Sequence, residues 1–173
     1  MTRSRHAAAL LLTGALVLTG GAASAAHKSA KDKSDDAAPA ADITRVTVKN
    51  TERTLTIHTK LQKASAGRSH VVATLTPAAE GAAPFVARTV ETGPGKKVGA
   101  TLETTALDAT EPTAVDCPGI KASVSSGRSG QVVIRVPQSC FGDAAGTLTV
   151  EVVTETAGGD VADEAPTLKV KQG

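Results

Sequence analysis

From Asp42 onward, short runs rich in Val, Ile, Leu and Thr alternate with clusters of Gly, Pro, Ser and Asp. This is the two-residue period of half-buried strands, punctuated by turns. Residues 43–49 put Val46 and Val48 on one face, and residues 50–53 turn the chain into Leu55, Ile57, Thr59 and Leu61 at period two, which predicts a hairpin. Further strands are predicted over residues 70–76, 85–91 and 97–104, the last two joined by a turn through Gly93, Pro94 and Gly95. Residues 120–125 and 131–136 form a second hairpin, and strands over 147–154 and 167–171 complete the series. Helical periodicity is absent from this region. The pattern predicts an all-β domain, a two-layer antiparallel β-sandwich of immunoglobulin-like or jelly-roll-like type, with one wet face on each sheet.

Upstream the pattern changes twice. Residues 1–25 read as a signal peptide: Arg3, Arg5 and His6 form a basic head, residues 7–18 an apolar run, and Ala23, Ser24 and Ala25 a small-residue cleavage site. The run is shorter than the roughly 20 apolar residues a membrane span needs, so the mature chain is expected to be secreted and extracellular, without a membrane anchor. Residues 26–41 are Ala, Lys, Asp, Ser and Pro with almost no apolar surface, which predicts a disordered linker. Residues 42–173 remain as one sandwich domain, long enough for a single core.

Removing the leader changes the charge balance. Arg3 and Arg5 go with it and no acid does, so 19 basic residues fall to 17 and meet the 17 acidic ones. A formally neutral chain with no run of Lys and Arg gives little electrostatic case for nucleic acid or anionic membrane as a partner. The sequence holds two Phe and no Trp or Tyr, which leaves no aromatic platform for stacking sugars or bases.

Cys117 and Cys140 flank the hairpin of residues 120–125 and 131–136, and folding that hairpin brings them together. In an exported chain such a pair is expected to be a structural disulfide worth about 3 kcal/mol.

Catalytic motifs are not recognisable. His58 lies between Ile57 and Thr59 on the solvent side of its strand, and His70 follows Ser69, whose side chain must point to the opposite face. Gly127, Arg128, Ser129 and Gly130 lack the spacing of a serine-hydrolase elbow and read as a turn. Asp160, Asp163 and Glu164, after Gly158 and Gly159, are candidates for lending oxygens to Ca²⁺ from a solvated loop. His27 is a copper candidate whose role depends on the cut. Cleavage after Ser24 makes it the third residue and cleavage after Ala26 the first, the two placings that let an amine and an imidazole chelate Cu²⁺. No cofactor is indicated.

The stretch VVIRVPQSCFGD, residues 132–143, resembles a recurring segment in small secreted actinobacterial proteins of unknown function. Those proteins carry an exported leader, an early strand like residues 42–49 and an upstream cysteine matching Cys117. The similarity covers most of residues 42–171, and the part ending at Cys140 is its distinctive portion. It implies a β-sandwich and brings no activity with it.

The expected function is therefore a non-catalytic secreted module that binds an extracellular or envelope component. The alternatives are a small hydrolase with a site assembled around His58 or His70, and an exported protease inhibitor presenting Gly127 to Gly130.

Overall fold

The computed structural model describes residues 26–92, 97–105 and 111–173. The leader read over residues 1–25 and the turn at Gly93, Pro94 and Gly95 lie outside the described residues. The strands, in chain order, are β1 (Ala26–Lys31), β2 (Ile43–Asn50), β3 (Thr54–Leu61), β4 (Lys63–Ala64), β5 (His70–Pro77), β6 (Phe85–Thr92) and β7 (Lys97–Thr104). They continue as β8 (Thr113–Ala114), β9 (Lys121–Ser125), β10 (Gly127–Arg128), β11 (Gln131–Pro137), β12 (Leu148–Glu155) and β13 (Val161–Val170). One sheet has the order β1-β2-β3-β11-β9, and the other β13-β12-β5-β6-β7-β8, with β10 and β4 as a small clip. All pairings are antiparallel.

The two sheets face each other across one core. Val46, Val48, Leu55, Ile57, Leu61, Val132, Ile134 and Val136 point inward from the first sheet, and Val71, Leu75, Leu102, Leu148, Val150 and Val170 from the second. These are the period-two apolar positions of the sequence, and burying them together is the main force that closes the sandwich.

Thr59 and Thr154 occupy inward positions and are fully buried. Thr154 Oγ1 donates to the Ala41 carbonyl at 2.7 Å, tying β12 to the chain just before β2. At the far end Gln138 Nε2 donates to Asn50 Oδ1, and Asn50 Nδ2 to the Gly146 carbonyl at 2.8 Å, so a buried amide pair closes the rim and leaves Gln138 Oε1 without a partner.

The 3-10 segment Gln138–Ala144 follows β11 and carries Cys140 beside Cys117. The two cysteines form a disulfide with a Cα–Cα distance of 5.2 Å, closing 23 residues of chain around the β9–β11 hairpin. Phe141 is buried and meets Phe85 edge to face with ring centroids 5.2 Å apart, so both aromatics serve packing.

Of residues 26–41, expected to be a disordered linker, the first six form an edge strand, and the rest run without helix or strand to β2. Ala26–Lys31 pairs along its length with β2, from Ala26 opposite Asn50 to Lys31 opposite Arg45. Composition underrates such a strand because its stability comes from ladder hydrogen bonds to an otherwise open sheet edge, with only Ala26 and Ala30 packed against the core. The final strand is also longer than the expected 167–171. Asp163 and Glu164 read as loop, yet both lie on β13, an edge strand that tolerates Pro166, and a register shift between Val150 and Val152 accommodates that proline.

Candidate functional site

The outward positions of the first sheet form three rows across its strands. The first is Lys31, Arg45, Lys60, Gln131 and Ser125. The second is Ser29, Thr47, His58, Val133 and Ser123, and the third His27, Lys49, Thr56, Arg135 and Lys121. Not one of these positions is acidic.

Neighbouring strands lie about 4.8 Å apart and the outer rows about 13 Å, four residues along a strand. Every cation on the face therefore has another within about a Debye length at physiological salt. Lys31, Arg45, Lys49, Lys60, Lys121 and Arg135 are all exposed. His27, Arg45, Lys49, His58 and Lys60 rim a shallow depression of about 310 Å³ around Thr47.

The outer face of the second sheet is built differently. There Arg88 on β6 lies 3.8 Å from Glu103 on β7 and 3.6 Å from Glu155 on β12, so its charge is shared between two carboxylates. These are the ion pairs found among the described residues, and neither involves the first sheet. Like charges placed directly opposite, as Arg45 with Lys60 and Arg135 with Lys121, weaken a sheet, whereas opposite charges support it.

A second charged feature sits at one end of the sandwich. Carboxylate oxygens of Asp36, Asp42 and Asp163 lie within 4.8 Å of one another. Asp36 belongs to the connection between β1 and β2, Asp42 precedes β2, and Asp163 lies on β13. Asp163 Oδ2 accepts from the Ile43 N–H at 2.6 Å, and Asp42 Oδ2 accepts from the Asp35 N–H at 2.7 Å.

Burial raises the Asp42 carboxyl above the ordinary range, and the charges of Asp163, Asp36 and Asp35 add to it against the lowering effect of the Asp35 N–H. Asp32 is raised in the same way, by burial first and then by Asp163, Asp36 and Asp42.

The residues singled out from sequence fall into separate places. His58 stands in the middle of the cationic rows, with Thr47 and Val133 as its cross-strand neighbours and no carboxylate there. His70 is opposite Glu155 on the other sheet's outer side. Ser69 is nearly buried, and its Oγ donates to the Ala40 carbonyl at 2.8 Å while accepting from the Ser65 N–H, so it holds a turn together.

His27 is exposed opposite Lys49, its segment laid into a ladder. Asp160 lies in the turn before β13, apart from the acidic group that Asp163 joins, and Glu164 is opposite Val153. The turn Gly127 to Gly130 is stitched down: Gly127 and Arg128 pair with Ala64 and Lys63, and Ser129 N–H donates to the Gln62 carbonyl.

Sequence reasoning missed the cationic face because its members are spread over five strands. Asp36 and Asp42 were missed as partners of Asp163 because more than a hundred residues separate them. The signal in the sequence is the spacing of basic residues by even numbers along a strand, Arg45 with Lys49 and His58 with Lys60, which share a face at period two; that Lys121 and Arg135 join them is legible only from the register.

No family model matches the chain, and no curated protein or solved structure matches it significantly. Among the described residues no helix is long and apolar enough to cross a membrane, and the disulfide fits a compartment outside the reducing cytoplasm.

Proposed function

We propose that this chain is an exported, non-catalytic binding module whose cationic sheet face docks on a linear anionic polysaccharide outside the cell. One observation carries the reading: the chain's basic and acidic residues are nearly equal in number, 19 and 17, yet the outward face of one sheet bears cations and no acid. Such a face raises the local concentration of a polyanion and holds it by several screened contacts at once.

The leader and the disulfide support export. The middle row favours a sugar polymer, because His58 and Ser123 lie between two cationic rows and the Thr47 hydroxyl, whose proton goes to Ser29, keeps a lone pair to accept from a sugar hydroxyl. The face carries no Phe, Tyr or Trp, so neither bases nor sugar rings gain a broad stacking platform there, and recognition rests on charge and hydrogen bonds. A lipid surface is disfavoured because the face exposes no large apolar side chain to insert; the one such residue among the described residues, Val161, lies on β13.

The test is retention of the mature protein on immobilised heparin and polygalacturonate at low salt, with duplex DNA and anionic vesicles as parallel arms. The reading expects retention on the polysaccharides that falls steeply with salt. Preferential binding to DNA or vesicles, or no retention, would overturn it.

A further inference from the structure

We infer that Asp36, Asp42 and Asp163 form a calcium site that ties the β1–β2 connection to both sheets. The cluster brings three carboxylates within 4.8 Å of one another from two segments of the chain. A group of acids is common on protein surfaces, and the independent observation here is Asp42 itself. Its side chain is completely buried, and its Oδ1 has no hydrogen-bond donor.

A buried carboxylate oxygen without a donor is strongly disfavoured unless it is protonated or meets a cation. The groups facing Asp42 are other carboxylates. Asp36 and Asp35 approach it from the connection, Asp163 from β13, and Asp32 stands beside the same group. Asp32 repeats the signature, since its Oδ2 is also buried without a partner. No Lys or Arg forms an ion pair with these acids among the described residues, where the ion pairs both belong to Arg88.

The donor set selects the ion. All the available ligands are oxygens, which excludes the nitrogen and sulfur preferences of zinc and copper. The carboxylates come partly from a loop, the flexible oxygen-rich setting that Ca²⁺ accepts and that Mg²⁺, with its strict octahedral demand, does not. Backbone carbonyls and water complete such a shell in extracellular calcium modules, whose affinities lie in the range of about 10⁻⁴–10⁻³ M.

The placement gives the ion a consequence. Asp36 holds the connection, Asp42 leads into β2, and Asp163 already binds the Ile43 N–H across the sandwich. Calcium bound there locks residues 32–42 and, through them, the edge strand β1 that supplies His27 and Lys31 to the first sheet's face. This inference stands on different residues from the polysaccharide reading, so either can fail without the other.

The experiment is calcium titration of the mature protein by calorimetry, with thermal unfolding in chelator, in about 5 mM calcium and in about 5 mM magnesium. The expected result is saturable binding of calcium and a rise in the unfolding midpoint of about 5 °C or more, with a smaller rise in magnesium. Asp36→Asn, an exposed loop substitution that leaves folding intact, is expected to weaken calcium binding about tenfold or more, and Asp163→Asn to do the same. Absence of binding heat and midpoint shift in the native protein would overturn the inference. So would calcium binding that Asp36→Asn leaves unchanged.

Discussion

Arg45 and Lys60 face each other directly across β2 and β3, Lys31 stands on the other side of Arg45, and no carboxylate enters that row. Such a row costs the sheet stability. Its counterpart on the other sheet, where Arg88 is shared by Glu103 and Glu155, shows that the same fold accommodates neutralised pairs. The cost at Arg45 and Lys60 is offset when a polyanion supplies the missing charge, and the proposed binding reading rests on that difference.

The disulfide is expected to contribute through the unfolded chain. Replacing Cys117 and Cys140 together by Ala releases a 23-residue loop and should lower stability by about 3 kcal/mol, a fall of about 10 °C in the unfolding midpoint. An unchanged denaturant midpoint would contradict this. Because the bridge holds the 3-10 segment that carries Phe141 onto Phe85, the double variant should also lose order locally there.

Gly130 is required by close approach. A Cβ there would lie 2.8 Å from the Ala64 Cβ and also press on the backbone oxygens of Ser125 and Gly127. Its carbonyl accepts from the Leu61 N–H at 3.0 Å, so the turn cannot shift without opening the end of β3. Gly130→Ala should cost about 1–3 kcal/mol, whereas Gly158→Ala, whose nearest contacts are 3.6 Å, should cost far less. Equal chemical-denaturation midpoints for the two variants would refute the assignment.

Most of the strands were legible from the sequence because their apolar residues keep period two, as Leu55, Ile57 and Leu61 do, and a buried face leaves one register open. The hairpin that brings Cys117 to Cys140 followed from the same reasoning. What escaped was whatever depends on pairing between distant segments. Ala26–Lys31 has too little apolar surface to announce a strand, and its order comes from the β2 edge. Asp163 was visible as a calcium candidate, but its neighbours Asp160 and Glu164 are not the residues that the fold places beside it; Asp36 and Asp42 are. A net charge of only +2 conceals a face that lacks acids, since segregation is a property of register and not of composition.

The acidic group sets a pH dependence for the metal-free protein. The carboxyls of Asp32 and Asp42 are raised in the folded state, by burial first and by neighbouring acids second. A raised carboxyl means that the folded chain binds protons more tightly than the unfolded chain, so this group destabilises when ionised. In chelator, its contribution should improve as pH falls through the raised folded values toward the ordinary value of 3.8. Asp42→Asn should remove that improvement and raise the metal-free midpoint at neutral pH. A native protein whose difference from Asp42→Asn is the same at pH 7 and at about pH 4 would contradict the sign.

Retention on an anionic polysaccharide as a function of salt tests the central claim most directly, comparing the native protein with the variant carrying Lys60→Glu and Arg135→Glu. A second variant with Lys97→Glu and Lys169→Glu, on the other sheet, controls for net charge. Each cation that contacts a polyanion releases condensed counterions, so removing contacts lowers both affinity and its salt dependence. Reversing Lys60 and Arg135 should therefore weaken binding at least about tenfold and flatten the salt dependence, while the control variant should bind within about threefold of the native protein. Equal weakening by both variants, or retention untouched by either, would contradict the assignment of binding to this face.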